Sequence, residues 1–96
     1  RDNIPEQARL KGELMVCHFA KNPAELRHHL RKKLNEEVRE FLQSEEPIEL
    51  ADILEVIGAI AREKGLTMRQ LYRMRDDKRK EKGGFEMGII WEGKTI

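Results

Sequence analysis

The 96-residue chain is short of most things that would brace a large core. It has five aromatic residues (three Phe, one Tyr and one Trp), so few large side chains are available to fill an interior. Its single cysteine, Cys17, excludes an internal disulfide and fits a reducing compartment. Cys17 lies in an apolar stretch and reads as a small buried side chain rather than a catalytic thiol. No apolar run approaches the roughly 18 residues that a membrane span requires, and no signal-peptide pattern is visible. A cytoplasmic protein without a membrane partner is therefore expected. Neither sign of charge prevails, with 19 Lys+Arg against 18 Asp+Glu for a formal net charge of +1. That balance leaves no global field to gather nucleic acid or anionic lipid. The length predicts one domain spanning residues 1–96 that buries roughly 60–70% of its unfolded surface.

Charge is what the chain does have, and its placement along predicted helices carries the information. Residues 1–11 read as a loop with a short helix after Pro5. Glu13 to Phe19 is a short apolar run that predicts a strand. Asn22-Pro23-Ala24-Glu25 then opens a helix: Asn22 caps, Pro23 suits the first position, and Glu25 supplies the return contact of a capping box. Leu26, Leu30, Leu34, Val38, Phe41 and Leu42 recur at helical spacing, so this helix runs to about Leu42. Ser44-Glu45-Glu46-Pro47 breaks the chain and starts a second helix, whose apolar face is Leu50, Ile53, Leu54, Ile57, Ile60 and Ala61. Gly65 ends it. Thr67 and Gln70 form a capping box for a third helix that runs towards Lys82, where Gly83-Gly84 stops it. Phe85 to Trp91 predicts a second short strand, pairing with the first.

Helical projection at about 100° per residue places the acids. Relative to Glu36, Glu40 falls at about 40° and Glu37 at about 100°, next to Leu30 at about 120°. Glu37 and Glu40 thus border the apolar face, and Glu36 lies nearly opposite its centre. On the second helix Glu49 sits inside the apolar arc and Asp52 about 60° away at its edge. The short connection predicts an antiparallel hairpin, which would bring Glu37, Glu40, Glu49 and Asp52 to one end of the helix pair. Four converging carboxylates call for a cation, and magnesium fits best because it keeps waters and leaves positions for substrate phosphates. A plainer reading stands beside this one. Glu49 and Asp52 occupy a first helical turn, where acids favour the helix dipole, and Glu37 and Glu40 can pair with Lys33 and Arg39 on a solvated face.

Those residues resemble a known family. Glu36-Glu37-Val38-Arg39-Glu40 followed by Glu49-Leu50-Ala51-Asp52 resembles the EExxE…ExxD signature of the MazG-like, all-α nucleoside triphosphate pyrophosphohydrolases. Within that superfamily the chain is similar to the phosphoribosyl-ATP pyrophosphohydrolase-like subgroup. Arg1-Asp2-Asn3-Ile4-Pro5 matches its R-D-x-I-P, Lys33 to Phe41 its K-L-x-E-E-V-x-E-F, and Glu49 to Ile57 its E-L-A-D-I-L-E-V-I. Lys82-Gly83-Gly84-Phe85 and Gly88-Ile89 match its terminal R-G-G-F and G-I, with Lys82 departing from the usual Arg.

The resemblance implies a magnesium site (manganese as a substitute) formed by Glu37, Glu40, Glu49 and Asp52. It implies hydrolysis of a nucleotide between the α- and β-phosphates. In such chemistry one of the four acids orients or deprotonates the water, and Glu37 or Glu40 is the expected one. It also implies a homodimer or higher oligomer in which helices of two subunits build a four-helix-type bundle. The fold expected is therefore all-α, a hairpin and third helix, with a small β element from the terminal segments. Lys33, Arg75, Lys78, Arg79 and Lys82 are candidates for the substrate phosphates. Against that, Lys33 can simply pair with an acid one turn on, and the third-helix cations can simply complement a helix C-terminus. His28 and His29 point about 100° apart and read as surface residues rather than a zinc site. Phe85 and Trp91 read as core rather than as a base-stacking pair. The competing class is a non-enzymatic helical module that binds nucleic acid or protein through the basic third helix. The acids on the neighbouring helices oppose nucleic acid as its partner.

Overall fold

Local capping signals in the sequence become four helices in a computed structural model, which describes residues 1–95. They are α1 (Ile4–Leu10), α2 (Pro23–Ser44), α3 (Pro47–Glu63) and α4 (Met68–Lys82). Asn22 caps α2 by accepting a hydrogen bond from the Glu25 amide at 2.8 Å. Glu25 does not return the contact: its carboxylate bonds His18 Nε2 at 2.7 Å instead. The Thr67–Gln70 capping box of α4 forms in both directions. At the end of α3, Gly65 takes a positive φ of 79°. There the Leu66 amide reaches the Ala61 carbonyl at 2.8 Å and the Gly65 amide reaches Arg62 at 2.9 Å, the paired bonds of a Schellman stop.

The predicted strands do not form: among the described residues there is no strand. Leu14, Val16, Phe19 and Phe85 stand almost fully exposed, and Trp91 and Cys17 are exposed as well rather than buried. A β-compatible run needs a partner edge, and one short strand without a packed neighbour does not persist in water.

The α2–α3 hairpin organises the rest. Arg27 of early α2 donates to Glu63 of late α3 at 2.9 Å, while Glu37 of α2 meets Glu49 and Asp52 of early α3, so the two helices run antiparallel. Leu30, Leu34 and Phe41 of α2 and Ile53, Val56, Ile57 and Ile60 of α3 are half-buried, and the two helices lie in close backbone contact. The bend between the helices is tight. Glu45 closes it at φ 56°, ψ 17°, a left-handed conformation, and its amide returns to the Phe41 carbonyl at 2.7 Å. Next to it Ser44 Oγ accepts from the Glu46 amide. At the other end of α3, Met68 of α4 lies over Gly58, where an added Cβ would stand 3.4 Å from its sulfur. Among the described residues, no helix pair other than α2–α3 and α3–α4 is in close backbone contact.

This arrangement leaves the interior thin. Only Ala8 and Ala61 are buried among the described residues. Val38, Leu42, Leu50, Leu54, Tyr72 and Met74 remain exposed along the helices. The radius of gyration of 17.8 Å exceeds the roughly 13 Å of a compact chain of this length.

Two outcomes follow for stability. Glu45→Gly is expected to stabilise the chain by about 0.5–1 kcal/mol in urea unfolding, because glycine takes the left-handed cap without Cβ strain. Arg27→Ala is expected to cost about 1–3 kcal/mol. It strands the Glu63 carboxylate, which is only 9% exposed, so it should cost more than Glu63→Ala, which leaves a half-exposed Arg27 to water.

Candidate metal centre

The acids gather where the hairpin turns. Helical periodicity directs Glu37 inward from α2, and the first turn of α3 carries Glu49 and Asp52 towards it. One carboxylate oxygen from each of the three lies within 4.8 Å of the others. The side chain of Glu37 is 13% exposed, against 41% for Glu36, so the projection separated the two correctly. Glu37 Oε2 and Glu49 Oε2 are both buried and neither has a hydrogen-bond partner.

Glu40 joins from the solvent side. It lies against Glu37, and the hydrogen bond and charge of Glu37, reinforced by the charge of Glu49, push its carboxyl above the ordinary value of 4.5. Lys33 opposes this shift. Its ammonium sits 3.2 Å from Glu36 and 3.5 Å from Glu37, the pairing with a neighbouring acid that its helical position allowed. The hydrogen bond to Glu36 leads in raising Lys33, and the same bond leads in lowering Glu36. One cation therefore faces the cluster from α2. A second comes from outside the hairpin: Arg1 Nη2 lies 2.5 Å from Asp52 Oδ1.

The candidate phosphate cations of α4 are not brought to the acids. Arg75 pairs with Asp76 at 3.1 Å and lies over the Tyr72 ring, 5.1 Å from its centroid. Arg79 pairs with Glu86. Lys78 and Lys82 are exposed, with no ion pair among the described residues. The reason is the path of the chain. The stop at Gly65 and the Met68–Gly58 contact tie α4 to α3 alone, with no close approach to α2. Two contacts that sequence reasoning missed, Arg1–Asp52 and Arg27–Glu63, join residues 51 and 36 positions apart. No periodicity signals pairs at such separations.

A hard divalent cation fits the donor set. Magnesium–oxygen bonds of about 2.0–2.1 Å put opposite ligands roughly 4.2 Å apart, and calcium bonds of about 2.3–2.6 Å put them roughly 5 Å apart. A spread of up to 4.8 Å lies within reach of both, with a small contraction for magnesium. The two orphaned carboxylate oxygens are what such an ion would satisfy, since a buried unpaired carboxylate oxygen is otherwise costly. No protein-family model matches the chain, and no curated protein or solved structure is significantly similar to it.

The raised Glu40 carboxyl has a definite sign for stability. The metal-free native state holds that proton more tightly than the unfolded chain does. The resulting stabilisation is present below the ordinary carboxylate value of 4.5 and is lost as pH climbs through the raised one. With a chelator present, Glu40→Gln should flatten this part of the pH profile. Above that window the variant should unfold at a higher temperature than the parent, as read by circular dichroism.

Proposed function

We propose that this chain is a magnesium-dependent nucleoside triphosphate pyrophosphohydrolase, cleaving between the α- and β-phosphates to release a monophosphate and pyrophosphate. The observation that carries this reading is the pair of buried, unpartnered oxygens of Glu37 and Glu49, on two helices, with Asp52 beside them and Glu40 against Glu37. The spacing of these four acids, and the further motifs from Arg1 to Ile89, resemble the MazG-like superfamily and its phosphoribosyl-ATP pyrophosphohydrolase-like subgroup.

Glu37, Glu40, Glu49 and Asp52 hold the ion in this reading, with manganese as a substitute. The bound ion supplies charge neutralisation at phosphate oxygens and makes water more acidic. The chain's own part is to position and to move a proton. Glu40 is exposed and stands beside Glu37, so its carboxylate is a suitable proton acceptor for the attacking water, with Glu37 as the orienting group or the alternative base. Lys33 offers a point charge to a phosphate oxygen at the same mouth.

The α4 cations Arg75, Lys78, Arg79 and Lys82 reach the triphosphate tail in an assembly, a homodimer or higher homo-oligomer. A second copy covers the exposed ridge of Val38, Leu42, Leu50 and Leu54 and completes a four-helix-type bundle. Glu13 to Phe19 and Phe85 to Trp91 find their strand partners there and form the small β element. No helix among the described residues is long and apolar enough to cross a membrane. A cytoplasmic role in nucleotide-pool housekeeping belongs to the same proposal. The basic, sparsely packed α4 favours one rival, a helical module binding nucleic acid or protein without catalysis.

The deciding measurement is product analysis over a nucleotide panel, with and without magnesium. Monophosphate and pyrophosphate should appear only with the ion. Glu49→Gln and Asp52→Asn should each lower kcat/KM by about 100-fold or more, and Glu55→Gln on the exposed side of α3 should not. Release of orthophosphate would rule out the α–β cleavage. Inactivity across the panel with salt-sensitive retention of DNA would replace the enzyme with the module. If Glu37→Gln and Glu40→Gln both kept full activity, neither would handle the water.

A further inference from the structure

Asp52 is the member of the acid set whose cation comes from outside the hairpin. Arg1 reaches it from the segment before α1, at 2.5 Å, across 51 positions of sequence. Two features set this contact apart from the other ion pairs. First, α1 has no close backbone approach to any other helix. Apart from the His18–Glu25 bond, which lies beside the connection into α2, Arg1–Asp52 is the one side-chain bond tying residues 1–21 to the hairpin among the described residues. Second, Asp52 is one of the three residues whose carboxylate oxygens converge, so the guanidinium rests on the candidate metal centre itself.

We infer that Arg1 is a built-in counter-cation for the acid set, one that a divalent ion must displace from Asp52, so that metal loading unlatches the α1 segment. This inference rests on reading the acids as a metal centre. The physical basis is competition between like charges for one carboxylate. With no ion bound, Arg1 and Lys33 are the cations beside the cluster. An ion that draws Asp52 towards Glu37 and Glu49 brings its two positive charges against the guanidinium, and the weaker partner leaves. Arg1 is half exposed, so water takes over its hydration and its release costs little. Lys33 is anchored on the same helix as Glu37 and keeps Glu36 as a partner, so it need not leave. Arg1 is thus a tuning residue for cation affinity, and α1 is the element whose position reports occupancy.

The test is calorimetric titration of the full chain with magnesium alone, together with backbone NMR of α1. Arg1→Gln should bind magnesium about two- to fivefold more tightly than the parent, the range that an exposed ion pair commands. Arg9→Gln removes a cation paired with Glu6 on α1 and should leave the affinity unchanged. On adding magnesium, the Ile4–Leu10 amide resonances of the parent should move to the positions they hold in metal-free Arg1→Gln. Equal or weaker magnesium binding by Arg1→Gln overturns the inference, as do α1 resonances that ignore the ion, and both leave the metal centre standing. No magnesium uptake by either chain overturns the metal-centre reading and this inference with it.

Discussion

Repulsion among carboxylates at the turn of the α2–α3 hairpin is the constraint around which this small structure is arranged. Apolar packing of Leu30, Leu34 and Phe41 against Ile53, Val56, Ile57 and Ile60 drives the helices together, and the Arg27–Glu63 pair ties their open end. The same closure forces Glu37, Glu49 and Asp52 into one small volume and leaves two oxygens without partners. The molecule responds with what it has. Lys33 leans in from α2, Arg1 comes from the segment before α1, and Glu40 holds its proton above the ordinary value. Each response is partial, since both cations are partly in water and no donor serves the orphaned oxygens.

In the proposed function, activity and stability pull against each other at one place. A hairpin optimised for stability would put apolar or neutral groups where Glu37 and Glu49 stand, because a buried charge without a good partner is a net cost. Retaining them makes sense where a ligand supplies the missing charge. The strained cap at Glu45 lies a few residues from the same acids and sets how tightly the helices turn. Strain at this bend and charge at the adjacent helix ends form one continuous feature.

Much of this was legible in the residues, and the reason is locality. Asn22, Thr67–Gln70, Gly65 and Gly83 mark helix ends through bonds that span a few positions, so the three long helices follow from short patterns. The separation of Glu37 from Glu36 follows from 3.6 residues per turn and from nothing else. Most of what was not legible is non-local. Glu13 to Phe19 and Phe85 to Trp91 have the composition of strands, but their expected pairing depends on an edge that the described residues do not supply. The direction of α4, which keeps Arg75 and Arg79 away from the acids, is set by a glycine stop and one methionine over Gly58. Arg1 on Asp52 could be found only in three dimensions. Glu25 had two possible partners within seven positions, and proximity in sequence did not choose between them.

The exposed ridge along Leu42, Leu50 and Leu54 has a thermodynamic consequence. A chain that buries so little by itself, and that in the proposed assembly borrows the rest of its interior from a second copy, would have no fixed stability of its own. In that assembly its folding would become a bimolecular equilibrium, and the midpoint of unfolding would climb with the amount of protein present. Dilution alone would then act as a denaturant, and cellular abundance would set how much of the chain is in working form.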